Sequence, residues 1–372
     1  MARQLRIVLS ANTSWYLYNF RKELIQDLVD KQFDVIVLSH VDQWTSRLED
    51  LGCRFFPIEI DRHGKNMFCE LKTLLKFWGI LGSLNPCVSV FFTIKPVIYG
   101  GLVSRFLRLK VIAVIPGLGT TFINSSLLTR IVEVLYRFAL RKSFRVGFEN
   151  EDDLSLFRSK QIVNELQGFR IPGAGVNVQR LSLTPLFFNQ PPVFLFVGRL
   201  VVEKGIHELI SAAREARRRG RRFRLQLLGP LDKKNPRSIG LKNLERWIEE
   251  DVVEYLGVTD DVIPFIQRSD AVLLPSYREG LPGTLLEACA IGRPIIATDV
   301  PGCRELLNET RSIKFLPRSV DSLVEALDRY FTLSNEEKME WALNARSVVC
   351  QKYSKPVVNK IYLQLISEAL AS

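Results

Sequence analysis

Residues 271–298 constrain the fold more than any other stretch of this chain. Ala271-Val-Leu-Leu274 is a short apolar run of strand type, and 275–282 is crowded with turn residues. From Gly283 the spacing becomes helical, Gly292-Arg293-Pro294 stops the helix, and 294–298 reads as a second buried strand. Strand, loop, helix and strand in such close succession make one unit of a parallel sheet, with a polar loop at the carboxyl end of its first strand. Ligands bind at that position in open α/β sheets.

Two carboxylates bracket the loop: Glu279 in the turn, and Glu287 roughly 6 Å beyond the helix start at the usual rise per residue. The helix start between them offers unpaired backbone N–H groups and the positive end of a helix dipole, which suit a phosphate. One acid could hold a hydroxyl pair on a sugar, the other a hydroxyl pair on a ribose. As an alternative, Glu287 is a solvated helix residue and Glu279 an ordinary turn acid. A second pattern lies at 198–205, where Gly198-Arg199 follows an apolar run and Lys204-Gly205 precedes a helix. Arginine supplies a planar fork of donors and lysine a mobile point charge, and both can reach one diphosphate from a strand end.

At 372 residues the chain is too long for one compact α/β domain and fits two, and 47% hydrophobic residues supply ample cores. In the first half, strands are expected at 5–10, 33–38, 54–60, 89–93, 111–115 and 144–148. Helices are expected after the 11–21 loop to about 31, then at 41–51, 66–84, 101–109 and 127–142. Residues 149–170 read as a helix with an amphipathic tail. Proline and glycine cluster from Ile171-Pro-Gly-Ala-Gly175 to Pro191-Pro192, which marks a linker. The division is therefore a first domain at 1–170, a linker at 171–192, a second domain at 193–352 and a terminal helix at 353–372. Strands of the second half are expected at 193–197, 223–228, 253–256, 271–274, 294–298 and 313–316.

The loop after the first strand contains no glycine, which counts against a dinucleotide-binding G-x-G-x-x-G and hence against a NAD or FAD enzyme. Its Asn12, Thr13 and Ser14 can still line a cleft, as can Lys95 and the Pro116-Gly117-Leu-Gly119 loop. No apolar run approaches the roughly 18 residues of a spanning helix, and Met1-Ala-Arg-Gln-Leu-Arg leads directly into a strand, so no signal peptide is expected. Six cysteines without a C-x-x-C pair fit a reducing cytoplasm. Three histidines argue against a His-rich metal centre, and His40 and His63 read as incidental.

The net charge is +11. Between Phe68 and Arg145 eleven basic residues face only Glu70 and Glu133. Basic helices that also carry Trp, Phe and Leu read as a membrane-surface face; alternatively the apolar positions pack on the sheet and the lysines are solvated. A nucleic-acid-binding protein would explain the charge alone, but gives no reason for Glu279, Arg199 and Lys204 at strand ends.

Glu279-x7-Glu287, Gly198-Arg199 with Glu203-Lys204-Gly205, Tyr18-Asn-Phe-Arg-Lys-Glu23, Ile94-Lys-Pro-Val-Ile-Tyr-Gly100 and Pro116-Gly-Leu-Gly119 resemble the retaining glycosyltransferases of family 4. The resemblance is to the bacterial transferases of capsule, O-antigen and undecaprenyl-diphosphate-linked glycans. It implies the GT-B fold, an α/β architecture of two facing Rossmann-like domains with parallel sheets and a C-terminal helix crossing back to the first. It further implies transfer of a hexose or N-acetylhexosamine from a nucleotide sugar, with UDP expected, to a polyprenyl-diphosphate-linked saccharide. The partners would be that donor, that acceptor and the anionic inner surface of the cell membrane, with the protein peripheral on its cytoplasmic face and no nucleic acid bound.

By the same resemblance Arg199 and Lys204 neutralise the leaving diphosphate, and Glu279 contacts the donor sugar. The amides of Gly280, Leu281, Pro282 (through its neighbours), Gly283 and Thr284 hold the diphosphate, Glu287 the ribose, and Gly229 and Val258 flank the base. No Asp-x-Asp pair occurs, so no metal and no cofactor is expected. Many family members carry a His at the end of a first-domain strand and a Gly-Gly loop after the first strand. Here Pro116-Gly-Leu-Gly119 and Asn12-Thr13-Ser14 stand in those regions. A nucleotide-sugar 2-epimerase of the same fold is the alternative; it wants acid–base groups facing the sugar, and histidines are few.

Overall fold

The computed structural model describes residues 4–60, 67–119, 122, 127–232 and 235–372, so His63 and Asn66 fall outside the described residues. The chain divides into two units, Met1–Ala174 together with Lys355–Ser372, and Gly175–Ser354.

The first unit runs β1 (Arg6–Thr13), α1 (Ser14–Asp30), β2 (Asp34–His40), α2 (Thr45–Glu49), β3 (Arg54–Pro57), α3 (Met67–Leu84) and β4 (Val88–Phe92). It continues with α4 (Ile94–Leu107), β5 (Val111–Ile115), α5 (Leu127–Leu140), β6 (Arg145–Phe148), α6 (Glu151–Ser159) and β7 (Gly168–Arg170). Runs such as Val-Ser-Val-Phe-Phe in β4 and Val-Ile-Ala-Val-Ile in β5 are buried throughout, as strands of a parallel sheet covered on both faces must be. The order is β3-β2-β1-β4-β5-β6-β7 with every pair parallel. It reverses direction between β1 and β4, which opens a crevice at their carboxyl ends.

Phe77 of α3, Val97 of α4 and Tyr136 of α5 pack on one face of this sheet with Val8, Ile36 and Phe91. On the other face α1 meets a helix that follows the whole second unit in sequence (Lys355–Ala371, α14 once the elements between are counted). Its Tyr362 and Ile366 bury against Leu24, Val90 and Phe92. Asn359 donates to Asp27 at 2.9 Å, Lys110 donates to the Ala369 carbonyl at 2.8 Å, and Lys355 pairs with Glu23.

Several boundaries differ from the sequence expectation. The first strand extends to Thr13 and α1 starts at Ser14, so no polar loop separates them. Thr13 Oγ1 accepts from the Tyr16 N–H at 3.2 Å and caps the helix. Helix α4 begins at Ile94 and not near 101, because Pro96 falls in the first turn, where a missing N–H costs nothing. Gly100 and Gly101 fall inside this helix and permit close packing: a Cβ on Gly100 would lie 2.7 Å from the Phe91 ring. The helix expected at 41–51 shrinks to α2, and the tail after α6 turns into β7, a seventh strand.

The second unit runs β8 (Val193–Val197), a 3-10 turn at Val202–Lys204, α7 (Ile206–Arg218), β9 (Arg224–Leu228), α8 (Leu241–Glu249), β10 (Glu254–Tyr255) and α9 (Ile263–Arg268). It continues with β11 (Ala271–Leu274), α10 (Gly283–Ile291), β12 (Ile295–Thr298), α11 (Arg304–Glu309), β13 (Ile313–Phe315), α12 (Val320–Thr332) and α13 (Asn335–Lys352). Its sheet, β10-β9-β8-β11-β12-β13, is again all parallel and again reverses between its first and fourth strands, β8 and β11.

The segment expected as a linker is part of this unit from Gly175 onward. Buried Arg293, at the stop of α10, donates to the Thr184 carbonyl at 3.0 Å, to its Oγ1 at 2.9 Å and to the Pro185 carbonyl at 2.8 Å. Among the described residues no helix is long and apolar enough to cross a membrane.

Candidate active site

The loops that carry the sequence motifs of the second unit leave the carboxyl ends of β8 and β11, at the reversal of strand order. The 275–282 loop is held from two sides. On one, the Tyr277 N–H donates to the Glu203 carbonyl at 2.9 Å. Gly205 sits there with φ +69°, and a Cβ on it would lie 2.1 Å from the Pro275 carbonyl oxygen. On the other side the Glu279 N–H donates to the Pro301 carbonyl at 3.1 Å. Gly302, at φ +84°, approaches so closely that a Cβ would fall 2.2 Å from the Gly280 oxygen. Both positions therefore need glycine, for conformation and for space.

Lys204 and Glu279, assigned separate partners by the sequence reading, form an ion pair with each other. Their side chains are only 20% and 14% exposed. Arg199 is exposed, and its guanidinium has no hydrogen-bond or ion-pair partner among the described residues. A cation without an ion-pair partner among the described residues and a largely buried cation–carboxylate pair thus both stand on loops that leave one strand-order reversal.

Helix α10 starts beside them without a side-chain cap, since Pro282 at its N-cap has none to offer. Its first amides find no partner within the helix and are available to an anion. Glu287 is half-buried one turn along. Gly229 and Val258 lie on loops after β9 and β10, joined by the Gly229 N–H donating to the Gly257 carbonyl at 2.8 Å. The Tyr255 hydroxyl donates to the Gly229 carbonyl at 3.0 Å.

The sequence reading missed Gly302 and Cys303. Cys303 is fully buried, and its thiol is pushed well up by desolvation and then by the negative charge of Glu279. The Val300-Pro-Gly-Cys303 turn directly after a strand was the available signal. It also missed Tyr277, whose hydroxyl donates to Glu208 at 2.7 Å and whose ring lies under the Arg318 guanidinium. Burial, then Glu208, raises its pKa.

In the first unit the expected cleft residues fare unevenly. Thr13 and Ser14 are buried, and their hydroxyls serve the fold: Ser14 Oγ lies 2.9 Å from both Ser39 Oγ and Thr45 Oγ1. Lys95 is likewise engaged, in an ion pair with Glu70, which also accepts from the Tyr99 hydroxyl at 2.6 Å. Gly119 has no atom of the described residues within 4 Å of the position a Cβ would take, while Gly117 stands just after β5.

Asn12 lies at the β1–β4 reversal. Its backbone N–H donates to Thr93 Oγ1 at 3.1 Å, and its side-chain Oδ1 is buried with no hydrogen-bond partner among the described residues. Thr93 itself has φ 64° and ψ 161°, a region nearly exclusive to glycine that costs about 1–3 kcal/mol. A cavity of about 580 Å³ nearby is lined by Thr13, His40, Asp42, Glu59 and Glu70, with Lys72 and Lys76 on α3.

Residues 6–150 match the model of glycosyl transferase 4-like domains, and residues 191–332 match that of glycosyl transferases group 1. The chain is a family 4-type glycosyltransferase. It is 24% identical to the N,N'-diacetylbacillosaminyl-diphospho-undecaprenol alpha-1,3-N-acetylgalactosaminyltransferase of Campylobacter jejuni, an alignment that covers 94% of this chain and 98% of the relative. Among solved structures, the sucrose-phosphate synthase of Thermosynechococcus elongatus superposes with a TM-score of 0.80 at 18% identity, covering 99% of this chain and 100% of the other. Anabaena HepE in complex with UDP and glucose superposes with a TM-score of 0.77 at 17% identity, covering 98% and 100%. The glycosyltransferase therefore has the GT-B fold, with both of its parallel sheets accounted for.

Proposed function

We propose that this glycosyltransferase moves a hexose or N-acetylhexosamine, with retention, from a UDP-sugar to a polyprenyl-diphosphate-linked saccharide in cell-surface glycan synthesis. It would work peripherally at the cytoplasmic face of an anionic membrane. The Campylobacter relative is named for transfer to an undecaprenyl-diphosphate-linked sugar, and the Anabaena structure holds UDP and glucose, which favours this donor and acceptor class. The observation that carries the reading is an exposed Arg199, unpaired among the described residues, on the loop after β8, with the Lys204–Glu279 pair joining that loop to the one after β11.

In this reading Arg199, Lys204 and the α10 amides take the charge that develops on the departing diphosphate, so no metal ion is required. Glu279 orients Lys204 and holds a hydroxyl of the donor sugar, Glu287 takes the ribose, and the Gly229 and Val258 loops flank the base. The acceptor oxygen bonds to the anomeric carbon on the face that the phosphate oxygen leaves, and the acceptor's proton passes to that phosphate oxygen. In the first unit, Asn12 Oδ1, buried without a hydrogen bond among the described residues, is offered to the acceptor.

A panel of nucleotide sugars offered with a short-chain prenyl-diphosphate-linked sugar, with product mass read by mass spectrometry and anomeric configuration by NMR, tests the proposal. One UDP-sugar should give a product heavier by one hexose or N-acetylhexosamine with the anomeric configuration kept. Transfer only to acceptors lacking the diphosphate, or product with inverted configuration, would refute it.

A further inference from the structure

Helices α3 and α5 are apolar on two sides. The inward sides pack on the sheet, through Phe77 and Leu81 in α3 and Tyr136 and Leu140 in α5. On α3 a second stripe, Phe68, Leu71, Leu75 and Trp78, faces outward at helical spacing, with Phe68 84% exposed. On α5 the outward stripe is Leu127, Ile131, Val134 and Phe138, with Leu127 75% exposed. Helix α4 lies between and joins them: Phe106 is 70% exposed and stands 6.1 Å from the Trp78 ring, while Arg105 donates to the Phe138 carbonyl at 3.1 Å. Scattered exposed apolar residues need no explanation, but two full stripes, joined through Phe106 and Arg105 of α4, mark an interaction surface.

The cations around this patch fall into two groups. Lys72 pairs with Glu59 at 2.8 Å, Lys95 with Glu70, and Arg137 donates to the Lys160 carbonyl at 2.9 Å. Lys76, Arg108, Arg130, Arg141 and Lys142 have no ion-pair partner among the described residues. By contrast, of the seven arginines at 214–224, six are engaged, for example Arg214 with Glu250 and Arg221 with Asp328. The only acids on α3, α4 and α5, Glu70 and Glu133, are both held in ion pairs.

We propose that the outer face of the α3–α4–α5 layer inserts into the headgroup–acyl boundary of an anionic bilayer, held mainly by its apolar stripes, with the unpaired cations choosing the lipid. A second copy of this chain fits worse, since pairing this face with itself would oppose two rims of like charge. The inference deepens the proposed function, because it rests on the reading that the acceptor is a membrane lipid, yet it is tested without acceptor. It also replaces simple electrostatic adsorption, which would fail at a Debye length of only a few ångströms.

Flotation of the full chain with phosphatidylcholine–phosphatidylglycerol vesicles at about 0.1 and 0.5 M NaCl separates the cases. The parent should lose less than about tenfold in partition between the two salts. Leu75→Gln/Phe106→Gln/Ile131→Gln should lose on the order of 100-fold at both, given the transfer free energy of three exposed apolar side chains that each bury about half of their area in the bilayer. Lys76→Gln/Arg108→Gln should lose binding chiefly at the lower salt. Hydrolysis of UDP-sugar in water should be unchanged in every variant.

Complete release of the parent at the higher salt would overturn the inference, as would parental flotation of the triple variant. So would a dimer, seen without vesicles, that the triple variant abolishes. Intact vesicle binding with no transfer to any prenyl-linked acceptor would strike the proposed function and leave this surface standing.

Discussion

Removing Arg199 and removing Lys204 should hurt catalysis alike and stability differently. A cation about 4 Å from a phosphate charge is worth about 4 kcal/mol at an effective dielectric constant near 20. Loss of one fixed group that stabilises developing charge commonly lowers kcat by about 10²–10³. Both Arg199→Ala and Lys204→Ala should therefore lose on the order of 10² or more in turnover. Arg199 is exposed and unpaired, so its removal should leave the melting temperature alone.

Lys204→Ala instead strands the Glu279 carboxylate, 14% exposed, without its counter-charge. A partly buried ion pair broken on one side should cost about 2 kcal/mol, below the 3–5 kcal/mol of a fully buried pair. For a unit of this size that is roughly 4–8 °C in the transition of the second unit. The double variant Lys204→Ala/Glu279→Ala should recover most of that loss while remaining inactive. The assays are UDP release under saturating donor and calorimetric melting without ligand. Near-parental turnover of Arg199→Ala, or a double variant no more stable than Lys204→Ala, would refute the reasoning.

Three further outcomes are expected. Gly302→Ala should weaken UDP binding at least about tenfold by calorimetric titration, because its Cβ would meet the Gly280 and Glu279 carbonyls at 2.2 and 2.6 Å and push the loop outward; unchanged affinity would show that the loop's position is immaterial. Transfer should survive EDTA, since Arg199 and Lys204 are the cations proposed to meet the diphosphate, and a strict requirement restored by Mn²⁺ would contradict this. Asn12→Ala should raise the acceptor KM about tenfold while leaving donor hydrolysis unchanged, as one site hydrogen bond to its unpartnered Oδ1 is lost; an equal effect on both reactions would assign Asn12 to the fold alone.

Most strands were readable because a parallel sheet covered on both faces demands uninterrupted apolar runs, and few other structures tolerate them. The exception is β7, Gly-Phe-Arg, which has no such run and pairs through a neighbour that sequence cannot place; β10, Glu-Tyr, falls inside the strand expected at 253–256. Helix α8 went unread although Leu244 and Trp247 are its buried anchors, three residues apart on one face. At the site, residue types and spacing were enough to nominate Arg199, Lys204 and Glu279. That Lys204 and Glu279 answer each other, while Arg199 stands free, depends on two loops from strands 74 or more residues apart in sequence. The outward stripes on α3 and α5 posed a different difficulty, since a helix apolar on two sides gives no sign in sequence of which side the sheet takes.

The last helix belongs to the first unit yet is made after the whole of the second. As the ribosome adds about 5–20 residues per second, the first 174 residues wait roughly 10–40 s for the partner that closes one face of their sheet. During that interval Leu24, Val90 and Phe92 lack their cover, and so does the guanidinium of Arg21, which ends stacked between the Phe92 and Tyr362 rings at 4.7 and 5.1 Å. The nascent chain thus carries a seam that residues 355–371, made after the whole second unit, seal, a natural place for a chaperone to hold on.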